Sequence, residues 1–361
     1  MAKRKLSTTK CPFKGLDYAN NTCYLDCVLF MLLALPSRYI ENNILSASTD
    51  ILAINLKLSK RIKLPHKSSK ESMFQKFKTQ LNEIRMFIRG ETDTDVNITK
   101  LKKCMRYLVP QSFEDFYDNN QQDATEFLMY LQTLFNLNSA VKFRYTFGTN
   151  ILDRNNNFED ATETSRSTEP IFIVQIPTEK IKKYTRKGMT TQYPIKIVDD
   201  SGELVNSNRL AYKEDEDTPV VYFQRRFDIG IISNNKEYTG NYLVINAARI
   251  GVESTGNILY HQTEIIPLES ITLYEGKELF LSGLIYHQGV AKGELGNEMT
   301  CGHYLCIYNC DGVFYEYDDN PAGHHYKMKK IGDYAAMLKY RKGIASKNGI
   351  LYFYQSAYDR S

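Results

Sequence analysis

The feature that most constrains the fold is a change of periodicity near Val141. Before it, apolar residues recur at helical steps. In the run beginning at Asn119 and Asn120, Ala124, Phe127, Leu128, Leu131, Leu134 and Phe135 fall three or four apart, which predicts a helix with one buried face and those asparagines as its N-cap. Met73 to Ile88 alternates apolar and charged residues at the same spacing. After Val141, short runs rich in Ile, Val, Tyr and Phe (IFIVQI, VVYFQRRF, NYLVINAARI, ELFLSGLIY) predict strands, separated by turn-forming clusters. DRNNNFEDATETSRS and YKEDEDTP read as exposed loops or hairpin tips. Helices followed by antiparallel strands make an α+β fold.

Within the helical part, NNTCYLDCVLF (Asn20 to Phe30) sets Cys23 just before an apolar run that reaches Leu35 and stops at Pro36. A cysteine at a helix N-terminus lies among unpaired N–H groups and at the positive end of the helix dipole, and both favour thiolate. The bland alternative is a small buried hydrophobe. A nucleophilic thiol needs a base, normally histidine, oriented by a third group. Six histidines are present: His66, His261, His287, His303, His324 and His325. His66 falls in a basic, loop-like region, and His324 and His325 in a turn after Pro321.

His303 stands out because GHYLCIYNCDGVFYEYDDN reads as two strands around an Asp311-Gly312 turn. A two-residue loop sets His303 opposite Asn320 with Asp318 diagonal to it. A four-residue loop sets it opposite Asp318, and a three-residue loop brings Asp319 across. Each register leaves a carboxylate beside His303.

These segments resemble a known family. GLDYANNTCYLDCVLF, NNQQDATEFL and GHYLCIY…VFYEYDD are similar, in order, to the cysteine, glutamine–aspartate and histidine boxes of ubiquitin-specific proteases. EPIFIVQIP and NYLVINAARI add weaker matches to the strand entering the fingers and to a core palm strand. The CYLD and LF elements look like the cylindromatosis-type branch. The resemblance implies a papain-like fold: an N-terminal extension over 1–14 and a catalytic domain over 15–361, with thumb about 15–140, fingers about 141–240 and palm about 241–361. It implies a deubiquitinase with Cys23 as nucleophile, His303 as general base and Asp318 as the residue that orients it, while the hairpin registers keep Asp319 as a secondary acid or orienting residue. Gln121 and Asp123 match positions that contact the ubiquitin tail; three residues into its helix, Asp123 also suits the dipole. Gly289, Gly293, Gly296 and Gly302 match a loop beside the active site. The family's oxyanion-binding asparagine is Tyr18 here and its usual glycine is Asn20, so Tyr18, Asn20, Asn21 and the Cys23 N–H are the oxyanion candidates. The alternatives are a weak or inactive ubiquitin-binding module of the same fold and a protease for a ubiquitin-like modifier.

Composition bounds the rest. Apolar residues make up 42% and charged residues 24%, within the globular range, and the net charge is only +4. The basic run Lys57, Lys60, Arg61, Lys63, Lys67, Lys70, Lys76 and Lys78, opposed only by Glu71, reads as a solvated helical face and loop, so no nucleic-acid partner is expected. MAKRKLSTTK lacks a following apolar region and the run after Asp26 is too short for a bilayer. The expectation is a monomer in the cytoplasm or nucleus, with ubiquitin or polyubiquitin conjugates as partners and no membrane. Seven cysteines without a CxxC pair predict reduced thiols, with no metal site or cofactor, and no cysteine lies between Cys104 and Cys301 to build a zinc ribbon.

Overall fold

The computed structural model describes residues 11–17, 19, 21–50, 69–110, 123–137, 142–152, 158–159, 164–170, 173–177, 197–198, 210–213, 222–232, 242–252, 258–260, 265–272, 278–293, 296–320 and 327–357. Among the described residues, four longer helices lie in the N-terminal part: α1 (Cys23–Leu33), α2 (Lys70–Ile88), α3 (Ile98–Met105) and α4 (Ala124–Leu134). Every residue of α1 is buried, as expected of a helix that is apolar all round. It packs against α2 and α4 on one side and the main sheet on the other. Among the described residues no single helix is long and apolar enough to cross a membrane.

Side chains cap three of these helices, and for α4 the cap differs from the one the sequence predicts. The Ser69 hydroxyl caps α2 by accepting from Ser72 N at 3.1 Å, and Asn97 caps α3 by accepting from Thr99 N at 2.9 Å. On α2, Met73, Phe74, Phe77, Leu81, Ile84 and Ile88 are buried while Lys70 and Lys76 are exposed. The N-cap of α4 is Asp123 rather than Asn119 or Asn120. The Asp123 carboxylate accepts from Thr125 N at 2.6 Å and Glu126 N at 3.3 Å, so it precedes the first turn instead of lying within it. Asparagine and aspartate are nearly equal caps, and a carboxylate at this end also complements the helix dipole.

The described strands form two sheets. The smaller contains β1 (Lys142–Leu152), β2 (Phe158–Glu159), β3 (Thr164–Pro170), β5 (Ile197–Val198), β6 (Leu210–Lys213) and β7 (Tyr222–Ile232), built on the β1–β7 pair. β3 pairs with β1 and takes in the last four residues of DRNNNFEDATETSRS, the segment expected as an exposed loop or hairpin tip.

The larger sheet contains β4 (Ile173–Pro177), β8 (Tyr242–Ala248), β9 (Ile250–Val252), β10 (Ile258–Tyr260), β11 (Ser270–Thr272), β12 (Glu278–Gly293), β13 (Gly296–Cys310), β14 (Val313–Tyr317), β15 (Met328–Gly332) and β16 (Gly349–Ser356). Its main order is β15-β14-β13-β12-β16-β8-β4, antiparallel except for β4 beside β8. Two short helices, α5 (Tyr334–Lys339) and α6 (Ile344–Asn348), lead into β16. Gly289, Gly293, Gly296 and Gly302 lie in the β12–β13 hairpin, not in the expected loop. Gly293 pairs with Gly296, and the register shifts between Gln288 and Val290, around Gly289.

Two further findings concern the cysteines. Cys11 and Cys310 are joined as a disulfide with Cα atoms 6.5 Å apart, so the reduced-thiol expectation fails for this pair. Their contact is invisible in the sequence because 299 residues separate them. Cys23, Cys27, Cys104 and Cys306 are outside any disulfide, and all are buried.

Candidate active site

The hairpin reading resolves in favour of the two-residue loop. Cys306 pairs with Tyr317 and Cys310 with Val313, leaving Asp311 and Gly312 to turn. Both have positive φ, 53° and 82°, as a type I′ turn requires, and Gly312 N donates to Asn309 Oδ1 at 2.8 Å. β14 ends at Tyr317, so Asp318 and Asp319 leave the ladder where the chain can bend toward His303.

There His303 Nε2 and Asp318 Oδ1 lie 2.8 Å apart, and Asp319 Oδ1 is 3.2 Å from the same nitrogen. The His303 side chain also hydrogen-bonds Cys23. With Nε2 engaged by carboxylates, Nδ1 is the nitrogen left for sulfur. Burial opposes a charged imidazole, yet the bonds to Asp318 and Cys23 and the field of Asp319 outweigh it and push His303 up to about 10. Burial would likewise raise Asp318. Its bonds to His303 and to Asn320 N, 3.0 Å away, prevail and hold it below the usual carboxylate range. The arrangement favours an imidazolium facing the sulfur at the start of α1.

The strand alternation that brings His303 to the thiol sends Tyr304 into the core, where its hydroxyl donates to Asp123 Oδ2 at 2.9 Å. One oxygen of Asp123 therefore caps α4 while the other holds the strand of His303. Sequence reasoning missed Tyr304, although a tyrosine beside the candidate base was the available signal. Asp123→Ala should remove the cap and strand the buried Tyr304 hydroxyl, lowering stability by about 1–3 kcal/mol in denaturant melts.

His287 is the other histidine nearby. It is fully buried with neither ring nitrogen bonded among the described residues. Burial, then the His303 charge, lowers it to about 4, so it is neutral at pH 7 and no rival base. Its ring covers Gly302, where an added Cβ would come within 2.0 Å of Cε1. Only glycine fits immediately before His303.

Of the sequence-selected residues, Cys23, His303, Asp318 and Asp319 converge, and Asp123 is bonded to Tyr304, the strand residue next to His303. Asn21 adopts φ 58°, a left-handed conformation that asparagine tolerates. Tyr18, Asn20 and Gln121 lie outside the described residues, as do His66, His324, His325 and the acidic run Glu214 to Asp217.

A family model described as ubiquitin carboxyl-terminal hydrolase matches residues 14–354. Comparison with curated proteins finds no match. Among solved structures, the chain is similar to one in the SAGA Ubp8/Sgf11/Sus1/Sgf73 DUB module bound to ubiquitin aldehyde. The two share 14% identity and a TM-score of 0.50, over 95% of this chain and 69% of that one. The Ubp8-Sgf11-Sgf73-Sus1 SAGA DUB module gives 15% identity and a TM-score of 0.48, over 95% and 67%. The first likeness agrees with the papain-like α+β fold.

Proposed function

The chain belongs to the ubiquitin carboxyl-terminal hydrolase family, whose chemistry is thiol-dependent deubiquitination, and we propose that Cys23, His303 and Asp318 carry that chemistry here. The observation behind this assignment is the hydrogen-bonded chain from Cys23 through His303 to Asp318, assembled at the N-terminus of a buried helix.

In this mechanism the thiol proton passes to His303, and the Cys23 thiolate attacks the carbonyl of the C-terminal glycine of ubiquitin. The oxyanion is met by the Cys23 N–H at the positive end of α1 and by a side chain among Tyr18, Asn20 and Asn21. His303 then protonates the departing lysine amine as the thioester forms. Water, deprotonated by His303, attacks the thioester and releases ubiquitin with Cys23 regenerated. Asp318 keeps Nε2 bonded throughout, so that the opposite nitrogen faces the sulfur. Gln121 and Asp123 are assigned to the ubiquitin tail.

The same reading assigns residues of about 15–140 to a thumb, 141–240 to fingers and 241–361 to a palm. It makes the protein a monomer of the cytoplasm or nucleus, acting on ubiquitin or polyubiquitin conjugates without nucleic acid or membrane. The CYLD and LF elements at Cys23–Asp26 and Leu29–Phe30 support a cylindromatosis-type affinity. A sequence tree placing the chain outside that branch would remove it.

The decisive experiment uses ubiquitin and ubiquitin-like modifiers carrying a C-terminal electrophile. Wild type should label with the ubiquitin probe and Cys23→Ala should not. Labelling by a modifier probe alone reassigns the substrate. No labelling by any probe makes the protein a binding module.

A further inference from the structure

Two carboxyl groups face each other behind His303. Asp26 on α1 and Asp319 after β14 are 0% and 2% exposed, and their side chains are in hydrogen-bond contact. Asp26 Oδ2 accepts from Thr22 Oγ1 at 2.6 Å, and Thr22 Oγ1 accepts from Ala19 N at 3.0 Å. Among the described residues no side-chain donor is paired with Asp26 Oδ1 or with either oxygen of Asp319, whose carboxyl is met by its own backbone N–H. His303 Nε2 is close, but it is bonded to Asp318. Lys102 on α3 acts on Asp26 only through its field.

Carboxylates have no hydrogen to offer each other, and two such charges in contact in the core repel strongly. A single proton between them removes the repulsion and supplies the missing donor, giving one O–H···O⁻ bond of the short, charge-assisted kind. Burial and the mutual repulsion both act in that direction, raising Asp26 well above the ordinary carboxylate range, and burial raises Asp319 as well.

We propose that Asp26 is a positioning residue, sharing one proton with Asp319 so that the pair presents a single negative charge to His303. The bridge runs from Ala19 through Thr22 and Asp26 to Asp319. It ties the segment just ahead of the nucleophile to the residues beside the base. The role rests on the catalytic assignment above, whereas the shared proton does not.

The test uses the full chain with 13C-labelled aspartate and infrared spectroscopy at neutral pH. Wild type should show a protonated-carboxyl C=O band that Asp26→Asn lacks, because the carboxamide N–H donates to an ionised Asp319. Probe labelling by Asp26→Asn should stay within about threefold of wild type. Asp26→Leu, similar in size but with no donor, should label roughly tenfold or more slowly. Absence of the band from wild type, or its persistence in Asp26→Asn, overturns the shared proton. A folded Asp26→Leu that labels at the wild-type rate overturns the positioning role. Should Asp26→Leu fail to fold, the band and the Asn variant decide. A wild type that shows the band yet labels with no probe counts against the enzymatic reading alone.

Discussion

His303→Asn is expected to slow labelling by the ubiquitin probe roughly a hundred- to ten-thousand-fold at neutral pH. Asparagine keeps the polar bulk but can neither take the thiol proton nor return it to the leaving amine. The measurement is the second-order labelling rate, with circular dichroism to show that the fold survives. The pH dependence gives a second check. His303 is raised from 6.5 to about 10 in the folded protein, so its charged form is favoured there. The resulting stabilisation is complete below about pH 6.5 and is lost as pH rises through about 10. The melting-temperature advantage of wild type over His303→Asn should therefore shrink across that window. An advantage that grows with pH would refute the ion-paired histidine.

The second large effect separates the adjacent aspartates. Asp318→Asn removes a charge-assisted bond at 2.8 Å, and such a bond contributes about 1.5–3 kcal/mol, or roughly ten- to a hundredfold in rate. Asp319→Asn, at 3.2 Å and bonded to Asp26, should give the smaller loss. A larger loss at Asp319 would exchange the two roles. Because Asp318 is lowered in the folded state, its stabilising contribution is present above the ordinary carboxylate pKa. It disappears as pH falls through the depressed value, so an acid limb should flatten in Asp318→Asn.

Much of this was legible in the sequence because local chemistry agreed with the fold. The apolar run after Cys23 is a buried helix, and the Asp311-Gly312 turn sets the strand register. That register accounts for Asp318 near His303 without any long-range information. Other features depended on contacts between distant segments. Cys11 with Cys310, and Tyr304 with Asp123, are separated by 299 and 181 residues and carry no local pattern. Asp26 is intermediate, since one carboxylate inside CYLDCVLF already demanded a buried partner. Only the fold could name Asp319. The helix start at Asp123 failed for a simpler reason: asparagine and aspartate are nearly equal caps, and context chose between them.

The site's two halves come from opposite ends of the chain, and the Leu16 N–H bonded to the Tyr317 hydroxyl bridges 301 residues. During synthesis, at roughly 5–20 residues per second, Cys23 leaves the ribosome tens of seconds before His303. Throughout that interval the thiol has no imidazole to accept its proton. On the proposed assignment, chain order thus makes the nucleophile first and arms it last.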